Sequence, residues 1–335
     1  MKAIVWTKYG PPQGLRLQEL EKPVPKENEI LIKIHATTVT AGDCEMRRLE
    51  LPLMLSFPVR LYAGFLRPKR IPVLGQELAG EVEEAGRNVR SFKAGDPVFG
   101  TTGFRFGAYA EYICLPDTPG DTQGTLAVKP ANLTYEEAAA VPTAGFEALH
   151  FMRKANIQPG KKVLIIGAGG SIGTFSVQLA RHFGAEVTGV DSLDKLDMLR
   201  SIGADDVIDY TKEEYTRSGA SYDLIIDVVG RNSVTRRMKL LKPDGYYFLA
   251  YAGISHILLG MWTSMTSNRK LKIEASSQKK EDLILLKELI EAGKIKPVID
   301  RCYPLEHTAE AHRYAETGRK RGNVIISVDH GSKNR

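Results

Sequence analysis

Lys162-Val163-Leu164-Ile165-Ile166 runs into Gly167-Ala168-Gly169-Gly170-Ser171-Ile172-Gly173. A short apolar strand thus enters a turn of small residues, and helical spacing follows from Ile172 to Phe183. Small residues let backbone N–H groups approach a pyrophosphate, and a helix N-terminus adds partial positive charge. The register is Ala168-x-Gly170-x-x-Gly173, with alanine at the first glycine position. Asp191 closes the next strand about 20 residues on, where a carboxylate can accept the ribose hydroxyls of a dinucleotide. Ala168, Gly170, Ser171, Ile172, Gly173 and Asp191 are therefore the expected cofactor residues. A glycine-rich turn of any α/β protein is the plainer alternative.

Asp191 repels a 2′-phosphate and so favours NAD(H); Lys195, four residues on, could reach such a phosphate and leaves NADP(H) open, unless it is only a solvated lysine.

These residues need a scaffold, and the segments after Pro130 supply one. Strand-like and helix-like stretches alternate: Glu186–Val190, Lys195–Ile202, Asp206–Ile208, Leu224–Val229, Val234–Leu241 and Tyr246–Ala250. Such alternation predicts a doubly wound parallel sheet with helices on both faces. The first third reads instead as short strands with Gly and Pro turns: Glu29–Ala36, Glu77–Ala85, the Gly95-Asp96 turn into Pro97–Phe99, and Gly107–Leu115. That pattern predicts a partly open β-barrel. Tyr135–Ala140 starts helically, Pro142 and Gly145 interrupt, and Phe146–Ala155 resumes. At the end come helices over Leu283–Ala292 and Ala309–Thr317 and a strand over Val324–Val328.

Composition narrows the classes. Lys and Arg number 46 against 40 Asp and Glu, and no stripe of the kind that grips nucleic acid is present. Cys44, Cys114 and Cys302 lie far apart, so neither a disulfide framework nor a zinc knuckle is expected. Apolar runs are too short for a signal peptide or a membrane span, which makes the cytoplasm the expected compartment.

Several further segments carry a resemblance: Thr40-Ala41-Gly42-Asp43 with Arg47, Gly75-Gln76-Glu77-Leu78-Ala79-Gly80, Val141-Pro142-Thr143-Ala144-Gly145, Ser201-Ile202-Gly203-Ala204-Asp205, and Gly293-Lys294-Ile295-Lys296-Pro297. With the glycine turn, they make the chain resemble the medium-chain dehydrogenase/reductases, in the zinc-independent quinone oxidoreductase-like branch. The resemblance implies a GroES-like domain over 1–126 and 278–335, a Rossmann domain over 127–277, and an active-site cleft between them. It also implies a homodimer. Zinc alcohol dehydrogenases of the superfamily carry Cys where Thr40 stands, His at Gln76 and Cys near Val141–Thr143; here only Glu77 survives. One carboxylate cannot hold catalytic zinc, so no metal is expected.

The implied chemistry is hydride transfer from NAD(P)H to a small, hydrophobic, electron-poor acceptor, a quinone or an α,β-unsaturated carbonyl, which needs no metal Lewis acid. By the same resemblance Thr143 faces the nicotinamide, Gly230 lets the backbone approach the cofactor, and Tyr210 lies near the adenosine half. Thr40 bonds the cofactor ribose or the substrate oxygen, unless it is a strand-end threonine bonding backbone. Tyr62 caps the cleft as a proton donor or is simply a satisfied tyrosine. Asp43 and Arg47 read as a structural pair, and none of the seven histidines falls on a catalytic position of the family. Leu51–Arg70 and Ile254–Met265 depart from the shorter relatives as apolar segments, suited to a substrate pocket, a dimer contact or peripheral contact with a membrane. An alcohol dehydrogenase with an unrecognised base, and a non-catalytic NAD(P)-binding sensor or structural protein, are the competing readings.

Overall fold

A computed structural model describes residues 1–49, 53–119, 122–217, 219–230, 234–250, 268–274 and 276–331. The Ile254–Met265 segment lies outside the described residues. The chain divides into two compact units. One comprises Met1–Thr143, Gln278–Glu291 and Ile299–Arg335, the other Ala144–Ser277 and Ala292–Val298.

The first unit opens with strands β1 (Lys2–Trp6) and β2 (Leu15–Glu19), which pair antiparallel. β3 (Glu29–Thr38) follows, then helices α1 (Ala41–Arg48) and α2 (Leu53–Ala63). These two helices correct the all-β reading of this stretch. Thr40 starts α1 through a reciprocal capping box with Asp43. Next come β4 (Glu77–Ala85), β5 (Pro97–Thr101), β6 (Tyr112–Pro116), β7 (Thr125–Val128) and helix α3 (Tyr135–Ala139). The strand expected over Gly107–Leu115 is regular only from Tyr112: Gly107 adopts φ +101° where the chain turns, and before Tyr112 only an isolated bridge joins Ala110 to Ala3. Helix α4 (Pro142–Lys154) also differs from expectation: Pro142 is its first residue, where a missing N–H costs nothing, so the proline starts the helix instead of breaking it.

The second unit carries β8 (Lys162–Ile166), α5 (Ser171–His182), β9 (Glu186–Asp191), α6 (Leu196–Ser201), β10 (Asp206–Asp209), β11 (Tyr222–Asp227), α7 (Val234–Met238), β12 (Leu241–Leu249) and β13 (Lys270–Lys272). Its sheet runs β10-β9-β8-β11-β12-β13 with every pairing parallel. That is the doubly wound order, which reverses between β8 and β11. Leu164, Ile166, Val190, Ile225, Tyr247 and Leu249 pack into its core. Helix α8 (Lys280–Glu291), strand β14 (Ile299–Pro304), helix α9 (Thr308–Ala315) and strand β15 (Asn323–Ser327) belong to the first unit. There β15 pairs antiparallel with β3, and the main sheet runs β14-β15-β3-β4-β5-β7, with β6 also on β3. Trp6, Ile30, Ile32, Val82, Val98 and Ile326 fill the core beneath it.

Candidate functional site

The glycine turn of the second unit sits at the carboxyl end of β8, next to the point where strand order reverses. This is where open α/β sheets bind ligands. Each small residue there answers to a different constraint. Gly167 adopts φ +79°, and a Cβ on it would lie 2.7 Å from the Val228 and Val229 methyls. Ala168 is buried. A Cβ on Gly173 would lie 2.5 Å from the carbonyl oxygens of both Gly167 and Ala168, so α5 packs against the turn only because this position is glycine. Gly170 is different. It is the N-cap of α5, adopts φ −85°, and a Cβ there would meet nothing closer than 3.5 Å. No side chain caps the helix, whose first turn contains Ser171 and Ile172 and no acid.

Asp191 ends β9 beside this turn. Its Oδ2 accepts from the Gly169 N–H at 2.8 Å, and Oδ1 accepts from the Ser192 N–H at 2.8 Å. Lys195 Nζ is 3.1 Å from Oδ1, with both side chains buried. The lysine stem lies on the turn, since a Cβ on Gly169 would sit 2.5 Å from Lys195 Cδ. Lys195 is thus no solvated surface lysine. Tyr210 follows Asp209, which stands opposite Asp191 in the sheet register, and its side chain is exposed. Gly230 adopts φ +64° and donates its N–H to buried Asp227 at 2.9 Å. Asp227 also accepts from Tyr247 Oη at 2.6 Å and from Arg237. Ala168, Gly170, Ser171, Ile172, Gly173, Asp191 and Lys195 therefore gather on one carboxyl edge, together with Tyr210 and Gly230 at the neighbouring strand ends.

In the first unit, Glu77 begins β4 and is buried. It accepts from the Thr143 N–H at 2.7 Å and from the Thr38 hydroxyl. Burial pushes its carboxyl up to about 7, against these hydrogen bonds and with help from the Asp43 charge. Thr143 is thereby fixed by a residue that sequence reading treated only as a survivor of a metal site. A carboxyl raised from 4.5 to about 7 binds its proton more tightly in the native state than in the unfolded state. Native stability is therefore lost as pH rises through that window. Glu77→Gln keeps an acceptor for Thr143, and the Thr38 hydroxyl can turn to accept from the amide. The variant is expected to gain up to about 3 kcal/mol on wild type between pH 4.5 and 7. Denaturant melts across that range check this; a pH-independent difference would refute it.

Thr40 donates its hydroxyl to Asp43 Oδ2 at 2.7 Å and accepts from the Asp43 N–H at 3.0 Å. Asp43 Oδ1 accepts from the Gly75 N–H at 3.2 Å, and burial lifts its carboxyl to about 6. The expected Asp43–Arg47 pair does not form. Asp43 spends its acceptors on Thr40, Gly75 and Tyr109, while Arg47 pairs with Glu316 and donates to the Gly10 carbonyl. Between them stands His312, the histidine that sequence reading missed. Arg47 Nε lies 3.4 Å from its Nδ1 and Tyr109 Oη lies 3.0 Å from its Nε2. Arginine only donates, so Nδ1 accepts and the ring proton sits on Nε2. Burial and the Arg47 cation hold His312 neutral, at about 3. Nothing in its local sequence marks it, because its partners come from residues more than 200 positions away. Tyr62, on α2, is half exposed with the Arg70 guanidinium 4.4 Å over its ring; among the described residues it makes no hydrogen bond to Thr40.

The positions that hold zinc in metal-dependent relatives do not fit a metal here. Thr40 is committed to its cap, Gln76 offers a neutral amide, and Glu77 is turned to Thr38 and Thr143. Among the described residues no group of three His, Cys, Asp or Glu side chains could hold an ion. No helix among them is long and apolar enough to cross a membrane.

An alcohol dehydrogenase GroES-like domain model matches residues 26–119, and a zinc-binding dehydrogenase model matches 202–326. The chain is 32% identical over 338 residues to 2-methylene-furan-3-one reductase of Solanum lycopersicum, covering 97% of this chain and 79% of that one. It is 31% identical over 363 residues to the mitochondrial NAD(P)H oxidoreductase RTN4IP1 of Bos taurus, covering 98% and 89%. The quinone oxidoreductase structure from Coxiella burnetii superposes with a TM-score of 0.86 at 29% identity, covering 98% of this chain and 99% of that one. A GroES-like unit and a Rossmann unit in one chain define a medium-chain dehydrogenase/reductase. The protein belongs to that superfamily, in its quinone oxidoreductase-like branch. It is an oxidoreductase that uses a nicotinamide cofactor.

Proposed function

We propose that the protein reduces a quinone or an α,β-unsaturated carbonyl with NAD(P)H and without zinc. The observation that carries this reading is Gly170. Its backbone angles suit any residue and a Cβ there would make only an ordinary 3.5 Å contact with the Gly167 carbonyl oxygen, so the fold itself does not require glycine there. A bound pyrophosphate on the uncapped N-terminus of α5 would require it. Ala168, Ser171, Ile172 and Gly173 complete that cradle, Asp191 takes the adenosine ribose, and Tyr210 flanks the adenosine half. Gly230 keeps the backbone clear on the other side. Lys195 is neutralised by Asp191, which favours NADH over NADPH.

Thr143, held by Glu77, serves the nicotinamide end. When bound, the reduced nicotinamide supplies a hydride to the electron-poor carbon of the acceptor, whose oxygen then needs a proton. Thr40 is suited to that oxygen. While Asp43 is ionised the Thr40 hydroxyl spends its proton on it; once Asp43 takes a proton, at about pH 6, that hydroxyl is released to donate. The donor set of Thr40, Gln76 and Glu77 supports a reaction that leans on no metal.

The test is a titration with NADH and NADPH, followed by 1,2-naphthoquinone or a medium-chain enone in the presence of EDTA. Acceptor-dependent cofactor oxidation under chelation is expected, with turnover rising as pH falls through about 6 and Thr40→Val removing that rise. Cofactor binding without oxidation of any acceptor, or activity confined to alcohols, would overturn the proposal.

A further inference from the structure

From Ser56 on, helix α2 presents its largest apolar side chains outward. The stripe it turns inward holds Ser56 and Ala63, both buried, with Val59 and Arg60 half-buried between them. Arg60 lies over the Tyr9 ring at 4.7 Å and donates to the Phe65 carbonyl at 3.3 Å. The outward face and the turn that follows carry Phe57, Leu61, Tyr62, Phe65 and Leu66, each more than half exposed, Leu66 at 86%. A surface helix in water shows the opposite arrangement. Five of the thirteen large apolar side chains exposed among the described residues fall within these ten positions. Single exposed apolar residues are ordinary, but such a concentration marks a contact surface.

Charge identifies the occupant. Arg67, Lys69 and Arg70 border the apolar face, and no acid occurs anywhere from position 51 to 76. Arg67, Lys69 and Arg70 are exposed, and the Arg70 guanidinium rides over the outward ring of Tyr62. A second copy docking on this face about a two-fold axis would bring these three cations together with the partner's three, with no acid on the face to offset them. An anionic phospholipid surface matches both features at once, taking the apolar side chains below its headgroups and the cations at their level.

We propose that Phe57–Arg70 is a peripheral docking element for anionic membranes, bringing the enzyme to a surface where apolar acceptors concentrate. The docking itself is independent of the acceptor class proposed above. Its test is co-sedimentation with vesicles of phosphatidylcholine alone or with about a third phosphatidylglycerol, at low and high salt. Binding is expected only to the anionic vesicles and is expected to fall with salt. Phe65→Ser/Leu66→Ser, two exposed positions outside the cofactor site, should weaken it about tenfold or more while NADH binding and melting temperature stay unchanged. Arg67→Gln/Lys69→Gln should weaken it through charge alone. Binding to neither vesicle, or equal binding to both, would overturn the proposal. So would a concentration-dependent dimer that the Phe65/Leu66 variant dissolves without any vesicle binding in wild type, because the face would then join two copies of the chain.

Discussion

Replacing Gly173 with alanine is expected to abolish measurable NADH binding and to lower the melting temperature together, whereas Gly170→Ala is expected to cost only the binding. The two glycines lie three residues apart on one turn, but they answer to different neighbours. At Gly173 the added methyl would sit 2.5 Å from two backbone carbonyl oxygens. Neither can swing aside as a side chain would, so α5 must lift from the end of β8. Overpacking of this kind costs about 1–3 kcal/mol of stability. It also withdraws the helix N-terminus from the position where its N–H groups converge. At Gly170 the same methyl makes only an ordinary contact, 3.5 Å from the Gly167 carbonyl oxygen, and its backbone conformation is unstrained. Any loss there comes from collision with the ligand. Fluorescence titration of NADH beside thermal melts of both variants separates the effects. A Gly170→Ala protein that binds NADH as well as wild type would remove the basis for placing a pyrophosphate on α5.

The second unit was legible because its signals are local. Lys162–Ile166 is a continuous apolar run, the turn after it is built of small residues, and Asp191 closes the next strand. The expected elements match β8, α5 and β9 to within a residue at each end. The first unit was less legible for a physical reason. Its sheet joins residues far apart in sequence, such as Ile325 with Thr38, and its buried polar groups are paid for by partners that no local pattern reveals. Asp43 and Arg47 face each other in the sequence as plausible partners four residues apart, yet each is claimed by groups from elsewhere: Gly75 and Tyr109 for one, His312 and Glu316 for the other. Helix α2 escaped because Pro58 lies within it and because Phe57, Leu61 and Tyr62 are exposed, so they mark no inward stripe. Glu77 was visible as an acid but not as the residue that holds Thr143, since that contact spans 66 positions.

Asp191→Ser is expected to reverse the cofactor preference, weakening NADH and strengthening NADPH by about tenfold each. The wild-type carboxylate is crowded. Gly169, Ser192 and Lys195 all donate to it. The Ser192 hydroxyl, 3.4 Å from Asp191 and already bonded to Asp194 at 2.6 Å, is the donor that ribose hydroxyls can displace. Hydrogen bonds to a charged acceptor contribute about 1.5–3 kcal/mol each, so losing the carboxylate costs NADH at least a factor of ten. For NADPH the balance runs the other way. A 2′-phosphate meets the Asp191 charge directly, and the Lys195 cation beside it is paired with that charge. Serine removes the repulsion and takes the Asp191 carboxylate away from the Lys195 ammonium, whose stem already lies along the glycine turn. A phosphate at the ribose would take the place of the lost carboxylate. The second substitution decides the cause: Lys195→Ala in the Asp191→Ser background should remove the NADPH gain and leave NADH affinity where Asp191→Ser put it. Equal dissociation constants for the two cofactors in wild type, unchanged in Asp191→Ser, would mean that the ribose is recognised by other groups and that the buried Asp191–Lys195 pair serves only to close the turn.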